Sequence, residues 1–286
     1  MVKKIVPKLI GGYLNTLALV APSKVGEIGF NIFCTPLAPP VKPHHQQFLE
    51  TAQLFRFTSE GVDLQGYQWG HGKKKIAFLH GWQSHSYRWK KYIQSFPQEE
   101  YTIYAFDAPA HGLSAGKYAN IPIYSDAIKD FVKKVGTIDF AVTHSMGSFA
   151  LMHALHHHQH LAVGHFVAMG SPGEANDFID FYKKFTGLND RTFKYIIDHF
   201  EKVLRQTPDY FSAPAFAASL KMPGLIIHDE GDEEAPYTHA QRIHSAWPQS
   251  QLITTQGFGH NLRAPEVVEM VKDFVMKEQL QKMRAG

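Results

Sequence analysis

The sequence predicts an α/β fold: a mostly parallel central sheet with helices on both faces. Two near-continuous apolar runs, Ile76–Leu79 and Tyr101–Phe106, have the character of strands covered on both sides. Between and after the runs, apolar residues recur at helical spacing, most clearly at Tyr124, Ile128, Phe131, Val132 and Val135. A third apolar run, Ile138–Val142, leads directly through Thr143 and His144 into Ser145-Met146-Gly147 and a helical pattern. Strand alternating with helix is the signature of an open α/β sheet.

The elements follow in order. Lys3 and Lys4 precede an apolar stretch from Leu9 to Ala21 that resembles a signal peptide, but Gly11-Gly12 and Asn15-Thr16 interrupt it. A membrane span wants ~18 or more unbroken apolar residues. The stretch therefore reads as a packed or interfacial helix, with Val25, Ile28 and Phe33 on a second one, and no stable membrane insertion is expected. Thr35–Pro43 holds four prolines in nine residues, which makes it an extended linker. Residues 1–50 are thus an N-terminal helical extension with a Pro-rich linker. Leu54–Thr58 and Val62–Trp69 alternate apolar and polar residues around Glu60-Gly61, as in an antiparallel hairpin at a sheet edge.

After the serine helix, Val163–Met169 is a further buried strand. Residues 173–221 then break the alternation and read as an inserted helical cap whose apolar content is largely aromatic. Most of these rings suit the insert's own core, with Phe178, Phe181 and Tyr182 as candidates to line a substrate cleft. Leu225–Ile227 and Gln251–Thr255 return to the sheet. Val267, Met270, Val271, Phe274 and Val275 share one face of a closing helix that Ala264-Pro265 introduces. The core then comprises residues 51–172 and 222–286.

Composition excludes several classes. A net charge of +3 with intermixed signs leaves no basic stripe for nucleic acid. A single cysteine, Cys34, cannot form an internal disulfide, which fits a reducing, cytoplasmic setting. The 18 histidines make net charge rise as pH falls through ~6.5. His153/His157 and His156/His160 stand four apart, a spacing that can hold a metal on a helix. With no carboxylate or cysteine beside them they read as a solvated helix end facing the negative pole of the helix dipole, and no metal or other cofactor is expected.

The chemistry gathers at the carboxyl ends of the strands, where open α/β sheets place their sites. There the sequence offers His80-Gly81-Trp82, Asp107 through Ser114, Ser145, then His228-Asp229-Glu230-Gly231-Asp232, and finally Gly257-Phe258-Gly259-His260. Serine, acid and histidine therefore fall on three strand ends in the chain order Ser, Asp, His. Asp229, Glu230, Glu233 and Glu234 crowd the turn that carries Asp232, so position alone leaves the acid open.

Four motifs in this order, L-H-G-W, D-x-P-x-H-G-x-S, T-H-S-M-G and H-D-x-x-D-x-x-x-P with G-x-G-H, resemble those of the α/β-hydrolase superfamily from about Leu54 to Val275. The resemblance implies an α/β-hydrolase fold in which Ser145 is the nucleophile on a sharp strand-to-helix elbow, His260 its base and Asp232 the acid that orients His260. It also implies an oxyanion hole from the backbone N–H groups of Trp82 and Met146, with His80, Gly81 and Gly147 shaping the site. Asp107 and Ser114 would shape a turn, and His144 would pack inward or shape the site without being the base. Thr143 departs from the usual glycine of the elbow, and its β-carbon is expected to narrow the space behind the serine. Serine in place of aspartate at the elbow argues against dehalogenase chemistry.

The function implied is hydrolysis of an ester or other acyl bond in a small-molecule substrate with an apolar group, by a monomer or homodimer. A thioesterase or acyltransferase would use the same residues. A ligand-binding or signalling receptor on the same fold is the reading of another class, and the fold alone does not choose among them.

Overall fold

The computed structural model describes residues 2–37 and 39–285. In chain order the elements begin with helices α1 (Val2–Leu17), α2 (Pro22–Phe33) and α3 (Pro43–Leu49) and strands β1 (Gln53–Ser59), β2 (Val62–Trp69) and β3 (Lys74–Leu79). They continue with α4 (Lys90–Ser95), β4 (Tyr101–Phe106), α5 (Ile121–Val135), β5 (Ile138–His144), α6 (Met146–His157) and β6 (Val163–Met169). The rest are α7 (Ala175–Thr186), α8 (Asp190–Leu204), α9 (Ala213–Ala217), β7 (Gly224–Asp229), α10 (Tyr237–Ala246), β8 (Ser250–Thr255) and α11 (Pro265–Ala285).

Two compact units divide the described chain. The larger one, residues 36–173 and 213–286, contains an eight-stranded sheet in the order β1-β2-β4-β3-β5-β6-β7-β8. The predicted hairpin of β1 and β2 is antiparallel and forms one edge, and β2 pairs antiparallel with β4. The remaining neighbours are parallel. Inward-facing Ile76, Phe78, Ile103, Phe140, Val142 and Val167 pack with Leu49 of α3, Tyr92 and Ile93 of α4, and Val267, Val271 and Phe274 of α11. The opposite face carries α5 and α6, with the ring of Phe131 of α5 tilted 32° against that of Phe106 at 4.8 Å. From β3 the chain reaches β4 on one side, and β4 then crosses over to β5 on the other. Connections thus diverge around β3, and a crevice opens at the carboxyl ends of β3 and β5, where such sheets bind ligands.

Residues 1–35 and 174–212 form the second unit. The sequence reading separates these segments, ending the extension at residue 50 and running the insert to 221. The structure draws the lines elsewhere, because Leu49 is buried in the core of the sheet-bearing unit and Ala213 and Phe216 pack with α6 and α10. Inside the helical unit α2 lies along α8 and α1 along α7. Phe30 meets Phe200 edge-on at 5.8 Å, and Phe33 lies 5.4 Å from Tyr182. The polar breaks in the N-terminal stretch prove to be packing devices. The backbone carbonyl of Thr186 comes so close to Gly11 that a β-carbon there would sit 2.0 Å from it. The Asn15 side chain donates to Gly187 O at 3.0 Å and accepts from Asn189 N at 3.0 Å, bridging the α7–α8 turn. Among the described residues no helix is long and apolar enough to cross a membrane.

Candidate active site

Ser145 stands between β5 and α6 with φ 51° and ψ −123°, in a region that L-residues adopt at a cost of order 1–3 kcal/mol. The turn is held from behind by Ser145 N–H, which donates to Met169 O at 2.8 Å, and by Ser148 N–H, which donates back to Ser145 O at 2.9 Å. Its small neighbours are required by close approach. A β-carbon at Gly147 would lie 2.6 Å from His80 O and 2.7 Å from Leu79 O, and one at Gly81 would lie 2.9 Å from Ser145 Cβ. Thr143 is accommodated because its hydroxyl points sideways, donating to Val167 O of β6 at 3.0 Å and meeting Ser148 Oγ of α6 at 2.7 Å. The tight contacts of the elbow therefore fall at Gly81 and Gly147, and Thr143 ties together the three elements around it.

His260, reached from β8 through Gly257 and Gly259, brings Nε2 to 3.0 Å from Ser145 Oγ. Its Nδ1 lies 2.8 Å from Asp232 Oδ2. Asp232 Oδ1 accepts the backbone N–H groups of Glu234 at 2.9 Å and Ala235 at 2.8 Å, and buried His228 lies 3.3 Å from Oδ2. Burial alone would raise the Asp232 pKa, but the bonds from His228, His260 and Ala235 outweigh it and hold the carboxyl well below the usual range. An ionised Asp232 accepts the Nδ1–H of His260, which leaves the Nε2 lone pair facing the serine hydroxyl.

Of the competing acids, Asp229 is engaged elsewhere. Its Oδ2 accepts from Thr255 Oγ1 and Phe258 N, both at 2.9 Å, and so sets the path of the loop to His260. Glu234 lies 3.8 Å from His260 Nε2 with a mostly exposed side chain.

The loop after β3 is ordered by two neutral imidazoles. His80 Nδ1–H donates to Gly81 O at 2.8 Å and Nε2 accepts from Ala108 N at 2.9 Å, while burial, with His111 nearby, keeps its pKa well below the ordinary value. His111 Nδ1–H donates to Pro109 O and its Nε2 accepts Gln83 N–H at 3.1 Å. Trp82 lies between these anchored positions, its ring 5.5 Å from that of His111. Met146 is the first residue of α6, so its N–H has no acceptor within the helix. Asp107 is fully buried and accepts from Ser86, Tyr67 and Leu113, and Ser114 Oγ accepts Gln65 N–H at 2.9 Å.

A cavity of about 190 Å³ opens beside Ser145, lined among others by Trp82, Arg88, His144, Glu234, His260 and Arg263. Sequence reading did not single out Arg88, His111 or Arg263 as site residues. Arg88 sits in an ordinary-looking basic stretch, whereas Arg263, three residues beyond His260, could have been found by its place in the loop.

Phe178 and Phe181 are 40% and 62% exposed on α7, and Tyr182 is taken up inside the helical unit, where its hydroxyl donates to Gly29 O at 3.1 Å. The histidine run is less solvated than expected. His153 is buried 5.1 Å from Phe216 with Nδ1 2.8 Å from Ser125 Oγ, because α6 turns that side toward α5 and α9. Among the described residues no group of three or more His, Cys, Asp or Glu is placed to hold a metal.

Residues 70–196 match the family model described as Serine aminopeptidase, S33. No protein of curated function matches the chain in sequence. Among solved structures, an esterase of Pyrococcus furiosus is similar at 19% identity and TM-score 0.63, covering 85% of this chain and 96% of its own. Est1E of Butyrivibrio proteoclasticus, in a structure with ferulic acid bound, is 16% identical with TM-score 0.63, over 80% of this chain and 99% of its own. The thioesterase domain from the curacin biosynthetic pathway is 11% identical with TM-score 0.58, over 78% and 99%. At such identities the likeness shows a common fold.

Proposed function

We propose that the chain is a serine hydrolase of the α/β-hydrolase superfamily that cleaves an ester or other acyl bond through a Ser145 acyl-enzyme, a reading supported by the family match over residues 70–196 and by the shared fold. The observation that supports this most directly is the relay from Ser145 Oγ to His260 Nε2 at 3.0 Å and from His260 Nδ1 to Asp232 at 2.8 Å.

In this reading His260 takes the hydroxyl proton as Ser145 attacks the acyl carbon. Asp232 keeps the Nδ1–H tautomer and offsets the imidazolium charge. The tetrahedral oxyanion forms against the N–H groups of Met146 and Trp82, fixed dipoles that need little reorganisation. His260 then returns the proton to the leaving group, the acyl-enzyme forms, and water activated by the same Nε2 releases the acid. A thioester or a different acceptor would pass through the same intermediate.

Labelling by a fluorophosphonate probe, together with turnover of p-nitrophenyl esters, tests the proposal. The expected outcome is one labelled site that disappears in Ser145→Ala along with turnover. Labelling or turnover that survives Ser145→Ala would overturn the mechanism, and absence of both in the native protein would favour a non-catalytic receptor.

A further inference from the structure

Beside the serine lies a positive charge that the chain does not neutralise. Arg88 Nη1 donates to His144 Nδ1 at 2.9 Å and Nη2 to Asn261 O at 3.0 Å, both neutral acceptors, and its Nε is sealed from solvent with no partner. Arg263 lines the same cavity. Among the described residues neither guanidinium has an ion-pair partner. Burial, with the charge of Arg263 nearby, pulls the Arg88 pKa down to about 9. Arg88 is half-buried and Arg263 exposed, and a partly buried charge that has lost some of its water gains from pairing with a counter-ion. The carboxylate that shares the cavity, Glu234, is 71% exposed and bound to neither arginine.

We propose that this cavity receives a carboxylate carried by the substrate, so that the enzyme acts on half-esters of dicarboxylic acids or similarly acidic acyl compounds. The inference rests on the serine-hydrolase reading of Ser145 for its catalytic part and on the two arginines alone for its binding part. A carboxylate can pair with planar guanidinium groups by charge-assisted hydrogen bonds, which are roughly twice as strong as neutral ones. It would also relieve the repulsion between the two arginines. At about 190 Å³ the cavity suits a short acid arm and not a long acyl chain.

The test compares hydrolysis of monoethyl succinate, glutarate and adipate with that of the corresponding diethyl esters, followed in a pH-stat. At least one half-ester should be preferred over its diester by on the order of 10-fold in kcat/KM. Arg263→Gln should bring that ratio close to one, and Arg263→Glu should invert it. Ratios near one across the native series, or a preference that persists in Arg263→Gln, would overturn the proposal. Calorimetry with glutarate separates binding from chemistry. Binding to Ser145→Ala that is lost in Ser145→Ala/Arg263→Gln supports the anion site even if no ester is turned over, in which case the hydrolase reading alone fails. Absence of glutarate binding overturns the anion site.

Discussion

The Nε2–H of His144 donates to the backbone carbonyl of His260 over 2.8 Å, so the residue preceding the serine holds the residue that would activate it. The assignment follows from the other nitrogen. Arg88 can only donate, so Nδ1 of His144 is the acceptor and Nε2 carries the proton. Burial, then the nearby Arg88 charge, keep the His144 pKa well below the ordinary value, which maintains this neutral form. The sequence pattern leaves His144 between packing and site-shaping; the contact links the elbow to the loop after β8, the geometry a positioning role would need.

With a neutral ester, whose binding does not use the arginines, His144→Ala should therefore lower kcat by on the order of 10-fold or more with KM little changed, since it loosens His260. His144→Gln, which can still donate and accept, should recover part of the loss. A KM effect with unchanged kcat, or equal losses in both variants, would show that the bond to His260 has no positioning role.

Gly81 and Gly147 separate site geometry from fold stability. The β-carbon of Gly81→Ala would press on Ser145 Cβ at 2.9 Å and on His144 Nδ1 and His144 O, both at 3.1 Å, all atoms of the elbow itself. That of Gly147→Ala would press on two backbone carbonyls, which cannot turn away. Gly81→Ala should lose most fluorophosphonate labelling with a small change in urea midpoint, and Gly147→Ala should lose ~1–3 kcal/mol of stability, a common cost of overpacking. Equal behaviour of the two in both assays would contradict the contacts described.

Acid should destabilise the fold well before carboxylates titrate. His80 and His144 are held neutral by burial, and His153 is pushed down to about 3 by burial and by His157. The unfolded chain binds these protons near pH ~6.5 and the folded one does not. Their contribution to stability is thus complete above ~6.5 and is lost as pH falls from there toward each folded value, each group adding up to ~1.4 kcal/mol per pH unit. Asp232 has the same sign at lower pH. Its depressed pKa gives stability that is complete above the unfolded value of ~3.9 and lost below it. Urea midpoints at pH 7.5 and 5.5 check the histidine part: the drop should be smaller in His153→Gln than in the native protein, and an unchanged drop would mean that His153 takes up no extra proton on unfolding.

The parts of this architecture that were legible in the sequence are those written in local pattern. Parallel strands buried on both faces need apolar runs such as Tyr101–Phe106, and the half-exposed hairpin shows as alternation. Ser145, the acidic turn and His260 were readable because each ends a strand, which sends them to one edge of the sheet. What chooses Asp232 over Asp229 for His260 is hydrogen bonding across the β7 and β8 ends, which spacing does not encode. The Arg88–His144–His260 chain joins residues 56 and 116 positions apart, so no window of sequence contains it.

The helical unit was the least legible part, because its packing residues look like interruptions, and this makes Gly11 a sharp test of it. Glycine in mid-helix costs ~1 kcal/mol relative to alanine, so on propensity alone Gly11→Ala should stabilise α1. The contact predicts the reverse. A β-carbon at 2.0 Å from Thr186 O and 2.8 Å from its carbonyl carbon meets backbone, so α1 must move away from the end of α7. That shift would stretch the bonds of Asn15 to Gly187 and Asn189 and of Lys8 to Lys184 O. Gly11→Ala should thus cost ~1–3 kcal/mol and speed proteolytic cleavage within residues 1–35, while Gly12→Ala, whose β-carbon meets nothing within 4 Å, should be neutral or mildly stabilising. Matching behaviour of the two variants would mean that α1 does not pack against α7 through Gly11.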